Sequence, residues 1–129
     1  MDPLLLVRRV PAHRLAVTRR ITAHWGAPAA SGARSGVQWW ELIDPAAGDE
    51  DPAAALAAVR PDGSTVRLVG VAAPPGRHDL AVQVLQGLVD ALRAGSAHRL
   101  AAALPPDGHD LLRRAGFHPV PGDWWSVDL

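Results

Sequence analysis

The chain has 129 residues, 13 basic and 13 acidic side chains and no net charge, which fits one domain and argues against a general nucleic-acid or membrane-surface binder. There is no cysteine, so disulfides, thiolate catalysis and Cys-ligated zinc are excluded. All 13 basic residues are arginine, and Lys, Asn and Tyr are missing, a bias that points to GC-rich codons.

The first residues place Asp2 ahead of the apolar run and Arg8 and Arg9 after it. This is the reverse of a secretory signal, and no apolar run is long enough to span a membrane. A cytoplasmic location is therefore expected. Leu4 to Val10 is short and rich in branched residues, and predicts a strand. Pro11 suits the first position of a helix whose apolar stripe is Leu15, Val17, Ile21 and Trp25, with Gly26 at its end. Ala27 to Gly36 reads as a loop, Val37 to Ile43 as a second strand, and Asp44 to Pro52 as another loop.

Ala54 to Arg60 and Thr65 to Ala73 flank Pro61-Asp62-Gly63-Ser64, a hairpin signal. Pro74-Pro75-Gly76 ends the second of these strands. The clearest helix follows. Ala81, Val84, Leu85, Leu88 and Leu92 share one face, with Asp79, Gln83, Gln86, Asp90 and Arg93 opposite. Asp79 is placed to be its N-cap and Gly95 to end it. His98 to Leu104 predicts a strand closed by Pro105-Pro106. Asp107 to Ala115 predicts a short helix, with Arg113 and Arg114 in its last turn and Gly116 just after. Phe117 to Val120 and Trp124 to Leu129 predict two closing strands. The order β-α-β-β-β-α-β-α-β-β implies a mixed sheet with helices on its faces.

The second half, VRLVGVAAPPGRHDLAVQVLQGLVDALRAG followed by HRLAAAL and DGHDLLRRAGF, resembles the GNAT superfamily of acyl-CoA-dependent N-acyltransferases. The most specific local match is Leu111-Leu112-Arg113-Arg114-Ala115-Gly116-Phe117. The likeness covers Thr65 to Leu129, and Leu4 to Arg60 by element order. It implies an α/β fold with one GNAT-like domain over residues 1–129. It also implies transfer of an acyl group from acetyl-CoA, or another acyl thioester, to an amine.

In that family acyl-CoA lies in a V-shaped opening between the fourth and fifth strands, with its pyrophosphate at the N-terminus of the long helix. The resemblance then puts Val71, Ala73, Arg77, His78, Leu80, Ala81 and Val82 at the donor, with Arg77 on the family's loop arginine. The family's two loop glycines fall on Leu80 and Val82, whose branched side chains would crowd the phosphates. The family's tyrosine falls on Leu112 and a frequent asparagine on Pro105. Glu41 and Asp44 are candidate bases at the end of the second strand, and His109 a candidate acid in place of the tyrosine. Asp107, His109, Asp110 and His118 match no metal spacing, so no metal is expected.

Neighbouring strand residues face opposite sides, so Trp39-Trp40 and Trp124-Trp125 each send one indole to either face. The acceptor is expected to be a small-molecule or protein amine, with no nucleic acid or membrane, and a homodimer stays open. The alternative reading is a catalytically degenerate GNAT-fold module that binds a protein partner or hydrophobic ligand through its Trp-bearing strands.

Overall fold

Alternation of apolar and small residues builds a seven-stranded sheet in a computed structural model that describes residues 5–16, 18, 20, 36–46, 53–104 and 106–129. The strands are β1 (Leu6–Arg9), β2 (Gln38–Ile43), β3 (Ala55–Asp62), β4 (Thr65–Ala72), β5 (Arg99–Ala102), β6 (His118–Val120) and β7 (Trp124–Asp128). They lie in the order β1-β2-β3-β4-β5-β7-β6. Every pairing is antiparallel except that of β4 with β5. A parallel pair needs a crossover, and the helix α1 (His78–Arg93) supplies it.

The periodicity that predicts α1 sets its buried face. Leu80, Ala81, Val84, Leu85, Leu88 and Val89 are buried, and all but Ala81 join Leu42, Ala55, Ala57, Val59, Val66, Leu68 and Leu100 in the main core. A short helix α2 (His109–Arg114) follows a 3-10 turn over Pro106–Gly108 and adds Leu112 to the same core. Its end explains the Arg-Ala-Gly-Phe signature. Gly116 has φ +99°, its N–H donates to Arg113 O, and the Phe117 N–H donates to Leu112 O. Together these make the Schellman closure, whose left-handed position favours glycine.

The other face of the sheet carries a second cluster, in which Val10, Ala53, Leu56 and Ala72 are joined by Leu15, Trp39 and Ile43. The expected first helix begins as a 3-10 turn, Ala12–Arg14, and Leu15 and Ala16 continue it. Val17, Ile21, Trp25, Gly26 and the closing Pro105 lie outside the described residues. The Pro-Asp-Gly-Ser turn is tighter than expected. Pro61 and Asp62 stay in β3, paired with Val66 and Thr65, and Gly63 takes φ +65° at the turn itself. No helix among the described residues is long and apolar enough to cross a membrane.

Candidate functional site

The parallel pair β4–β5 is incomplete. Its ladder runs from Thr65–Arg99 to Leu68–Ala102 and stops, while β4 continues to Ala72. The other edge of β4 shows why. Ala58 pairs with Gly70 but Val59 pairs with Leu68, so Val69 is an extra residue, a β-bulge. A bulge bends its strand and increases twist, and here it falls one residue past the last β4–β5 pair. Past that point β4 runs on with no ladder to β5, a wedge in the pairing beside the half-buried Val71 and Ala73.

The wedge leads from β4 through Pro74–Gly76 to the start of α1. Gly76 turns the chain with φ +78°, and the Arg77 N–H donates to Pro74 O at 3.0 Å. Arg77 occupies the cap position of α1 and caps it with no side-chain bond. Asp79 is therefore not the N-cap, contrary to the sequence expectation. The helix starts at His78, which puts Asp79 inside the first turn.

There Asp79 accepts two hydrogen bonds from Arg77, Nε to Oδ1 at 3.1 Å and Nη2 to Oδ2 at 3.0 Å. The Arg77 hydrogen bond holds the Asp79 carboxyl below the usual carboxylate range. Burial opposes this, while the Arg77 charge and the amides of Asp79 and Leu80 reinforce it. The same hydrogen bond and charge raise the Arg77 pKa.

Leu80 also departs from expectation. Its side chain is buried in the main core, so it does not stand where phosphates approach. Ala81 is buried beside it, Val82 is half-buried, and His78 is exposed. Arg77, His78 and the first turn of α1 thus gather at the mouth of the wedge.

His109 stands on the far side, in the segment that leaves β5. Its Nε2 lies 3.0 Å from Leu104 O. A carbonyl only accepts, so that nitrogen donates and Nδ1 is left facing other groups. The ring packs on Trp125, centroids 5.1 Å apart, and the Arg113 guanidinium lies 5.6 Å from the same indole.

Glu41 and Asp44 lie on the β2 side. Glu41 pairs with Leu56, which pairs with Ala72, so it sits two strands from the wedge, roughly 10 Å away at the usual strand spacing. Its side chain is 0% exposed, with Arg8 Nε at 2.8 Å from one oxygen and Arg14 Nε at 3.2 Å from the other. That carboxylate ties the segment after β1 to the sheet. Asp44 is half-buried, and its Oδ1 accepts the Ala46 N–H at 2.9 Å, closing the turn after β2.

The indoles divide as alternation requires. Trp40 and Trp125 pack on the α1 side and Trp39 in the second cluster, while Trp124 lies under the Arg67 guanidinium on the face away from α1, 5.6 Å away. Among the described residues, two buried side-chain donors lack an acceptor, Trp40 Nε1 and Arg60 Nε. Arg60 stands opposite Arg67 because the turn is the tighter one; the turn expected over residues 61–64 would have set it opposite Thr65.

No family model matches the sequence, and no curated protein matches it. Solved structures match over nearly the whole chain. A GNAT family acetyltransferase from Brucella melitensis, in complex with acetyl-CoA, is 13% identical with TM-score 0.73, over 99% of this chain and 90% of that one. The ribosomal-protein-S18-alanine N-acetyltransferase from Escherichia coli is 16% identical with TM-score 0.69, over 97% and 94%. A Bacillus subtilis acetyltransferase in complex with CoA is 12% identical with TM-score 0.62, over 98% and 99%. The seven-stranded mixed sheet flanked by α1 and α2 is thus that of an α/β chain with the GNAT fold.

Proposed function

We propose that this chain transfers an acyl group, with acetyl-CoA as the donor to test first, to an amine. The observation that carries the reading is the β4–β5 wedge opening beside the N-terminus of α1. The unpaired edge of β4 past Leu68 offers backbone donors and acceptors to the amides of a pantetheine arm. Arg77, His78 and the positive end of the α1 dipole suit a pyrophosphate. The half-buried Val71, Ala73 and Val82 stand along the path between them, with the buried Ala81 behind.

The chemistry balances with few groups. The amine nitrogen attacks the thioester carbonyl, the C–N bond forms and the C–S bond breaks. The nitrogen gives up its proton to water, and the thiolate takes one from the Nδ1–H of His109 when the ring carries both protons, since the Nε2–H is held by Leu104 O. Glu41 is assigned to holding Arg8 and Arg14 rather than to the proton.

The Arg77–Asp79 pair favours a second reading. A carboxylate already lies at the helix N-terminus, as in a module that keeps the fold and binds a partner or apolar ligand instead. Titration with acetyl-CoA and CoA separates the two. Binding in the micromolar range with CoA release on adding amines supports acyl transfer. No binding at millimolar ligand sinks it and leaves the binding module.

A further inference from the structure

The sheet face opposite α1 carries, close to the wedge, an arginine whose buried Nε has no acceptor among the described residues. Arg60 stands directly across the β3–β4 ladder from Arg67. Their neighbours Val59 and Val66 point into the α1-side core, so both arginines rise from the other face. Side chains directly opposite start roughly 5 Å apart, and like charges there repel.

Arg67 has compensation. Its Nη2 is 3.0 Å from Asp62 Oδ2, and its guanidinium lies over Trp124. Arg60 has no such partner among the described residues, and its Nε is buried without a hydrogen-bond acceptor there. The row they share runs on through Ala101 and Ser126 to His118 and contains no carboxylate. In the next row Asp62 is committed to Arg67, and Asp128 faces Arg99. A buried guanidinium donor with no acceptor among the described residues, beside a second arginine, suits an anion supplied from outside.

The position of the pair identifies that anion's bearer. Arg67 precedes Leu68, the last residue of β4 paired with β5, so the wedge apex is within roughly 7 Å along the strand. The helices α1 and α2 pack on the other face, so Arg60, Arg67 and Trp124 stand on the face that these two helices leave to an acceptor.

We propose that Arg60 and Arg67 form the specificity subsite of the acceptor, which is a small amine carrying a carboxylate or phosphate group. This rests on the acyl-transfer reading. The anion is held and unchanged while the nitrogen a few atoms away takes the acyl group.

The test compares γ-aminobutyrate with butylamine and phosphoethanolamine with ethanolamine. Each is offered with acetyl-CoA to wild type, Arg60→Gln and Arg60→Lys. Wild type is expected to prefer the anionic member of at least one pair about ten-fold in kcat/KM. Arg60→Gln removes that preference through KM and leaves CoA affinity and melting temperature near wild type. Arg60→Lys restores part of it. The pair that shows the preference tells carboxylate from phosphate.

Equal use of both members of both pairs overturns the proposal, as does a preference that survives in Arg60→Gln. Binding is also read without turnover, from the indole N–H resonance of Trp124, assigned with Trp124→Phe. If acetyl-CoA does not bind, acyl transfer fails as a reading while this resonance still decides the subsite. A shift with the anionic amines that Arg60→Gln abolishes supports it, and no shift with any of the four overturns it.

Discussion

Arg77 grips Asp79 with two parallel hydrogen bonds across the start of α1, at 3.0 and 3.1 Å. The arginine expected to meet a donor's pyrophosphate therefore already holds an anion two residues away in its own chain. Both side chains are more than half exposed, so water screens the pair and a phosphate can compete for it.

Asp79→Asn is expected to raise CoA affinity several-fold and Arg77→Ala to lower it. Neither should shift the melting temperature appreciably, since an exposed pair holds little structure. Calorimetric titration of CoA into both variants checks this. Equal affinity across wild type and both variants would place the pyrophosphate elsewhere.

The same pair sets a pH dependence. The folded pKa of Asp79 lies below its ordinary 3.8. Its contribution to stability is thus fully present above the unfolded pKa and is lost as pH falls through the folded value. The Asp79 carboxyl carbon, followed by NMR, should titrate with a midpoint below 3.8, and Arg77→Ala should move that midpoint upward. A midpoint at or above the ordinary value, unchanged in the variant, would show that the pair does not persist in solution.

Glu41 makes a different prediction, because one of its two partners, Arg14, is buried with it while Arg8 is partly exposed. Arg14 is 4% exposed on its side chain and Glu41 is 0% exposed. Replacing Glu41 by Gln keeps the shape but sets a neutral amide between two guanidiniums. Breaking a buried pair costs about 3 kcal/mol, or about 10 °C in a chain of this size. A thermal melt of Glu41→Gln checks it. Activity retained in the fraction that folds fits a structural role. A normal melt with activity abolished would restore Glu41 as a base.

Local signals made much of this fold legible. Proline and glycine punctuate the strands, and the apolar spacing of Leu80 to Val89 marks the buried side of α1. Phe117 after Gly116 marks the end of α2, because that closure is made within one turn. Glu41 reads in sequence as a carboxylate near a strand end. Its burial depends on Arg8 and Arg14, 33 and 27 residues away, and no short window contains that pairing. Leu80 looks like a missing glycine when aligned with a phosphate loop, but helix phase turns its side chain into the core. The start of α1 differs from expectation by two residues, and those residues decide whether Asp79 caps the helix or pairs with Arg77.

Gly87 tests the packing of α1 on the sheet. A Cβ built there would overlap Val7 Cγ2 and lie 3.0 Å from Val7 Cβ. Helix propensity alone favours alanine at a mid-helix glycine by about 1 kcal/mol, but overpacking costs about 1–3 kcal/mol. Gly87→Ala is therefore expected to destabilise, and Val7→Ala in the same chain to recover much of the loss. Denaturant unfolding of the two single variants and the double variant measures the coupling. Additive effects would show that α1 and β1 do not meet at this point.

His109 carries the last prediction, because its surroundings can place a proton without helping to bind the donor. Leu104 O fixes Nε2 as a donor at 3.0 Å, and Trp125 fixes the ring plane from below. Nδ1 is left as the atom able to exchange a proton with a thiolate in the wedge. A general acid contributes typically 10²–10⁴-fold to rate, so His109→Ala should lower kcat by about that factor while CoA affinity stays near wild type. Removing the ring also uncovers part of Trp125, so a modest fall in melting temperature is expected. His109→Gln separates the two effects, since it refills part of the space over the indole without an ionisable group. Full stability with low kcat in His109→Gln identifies the ring as the acid. Wild-type kcat in that variant would show that the thiolate leaves without it and that water supplies the proton.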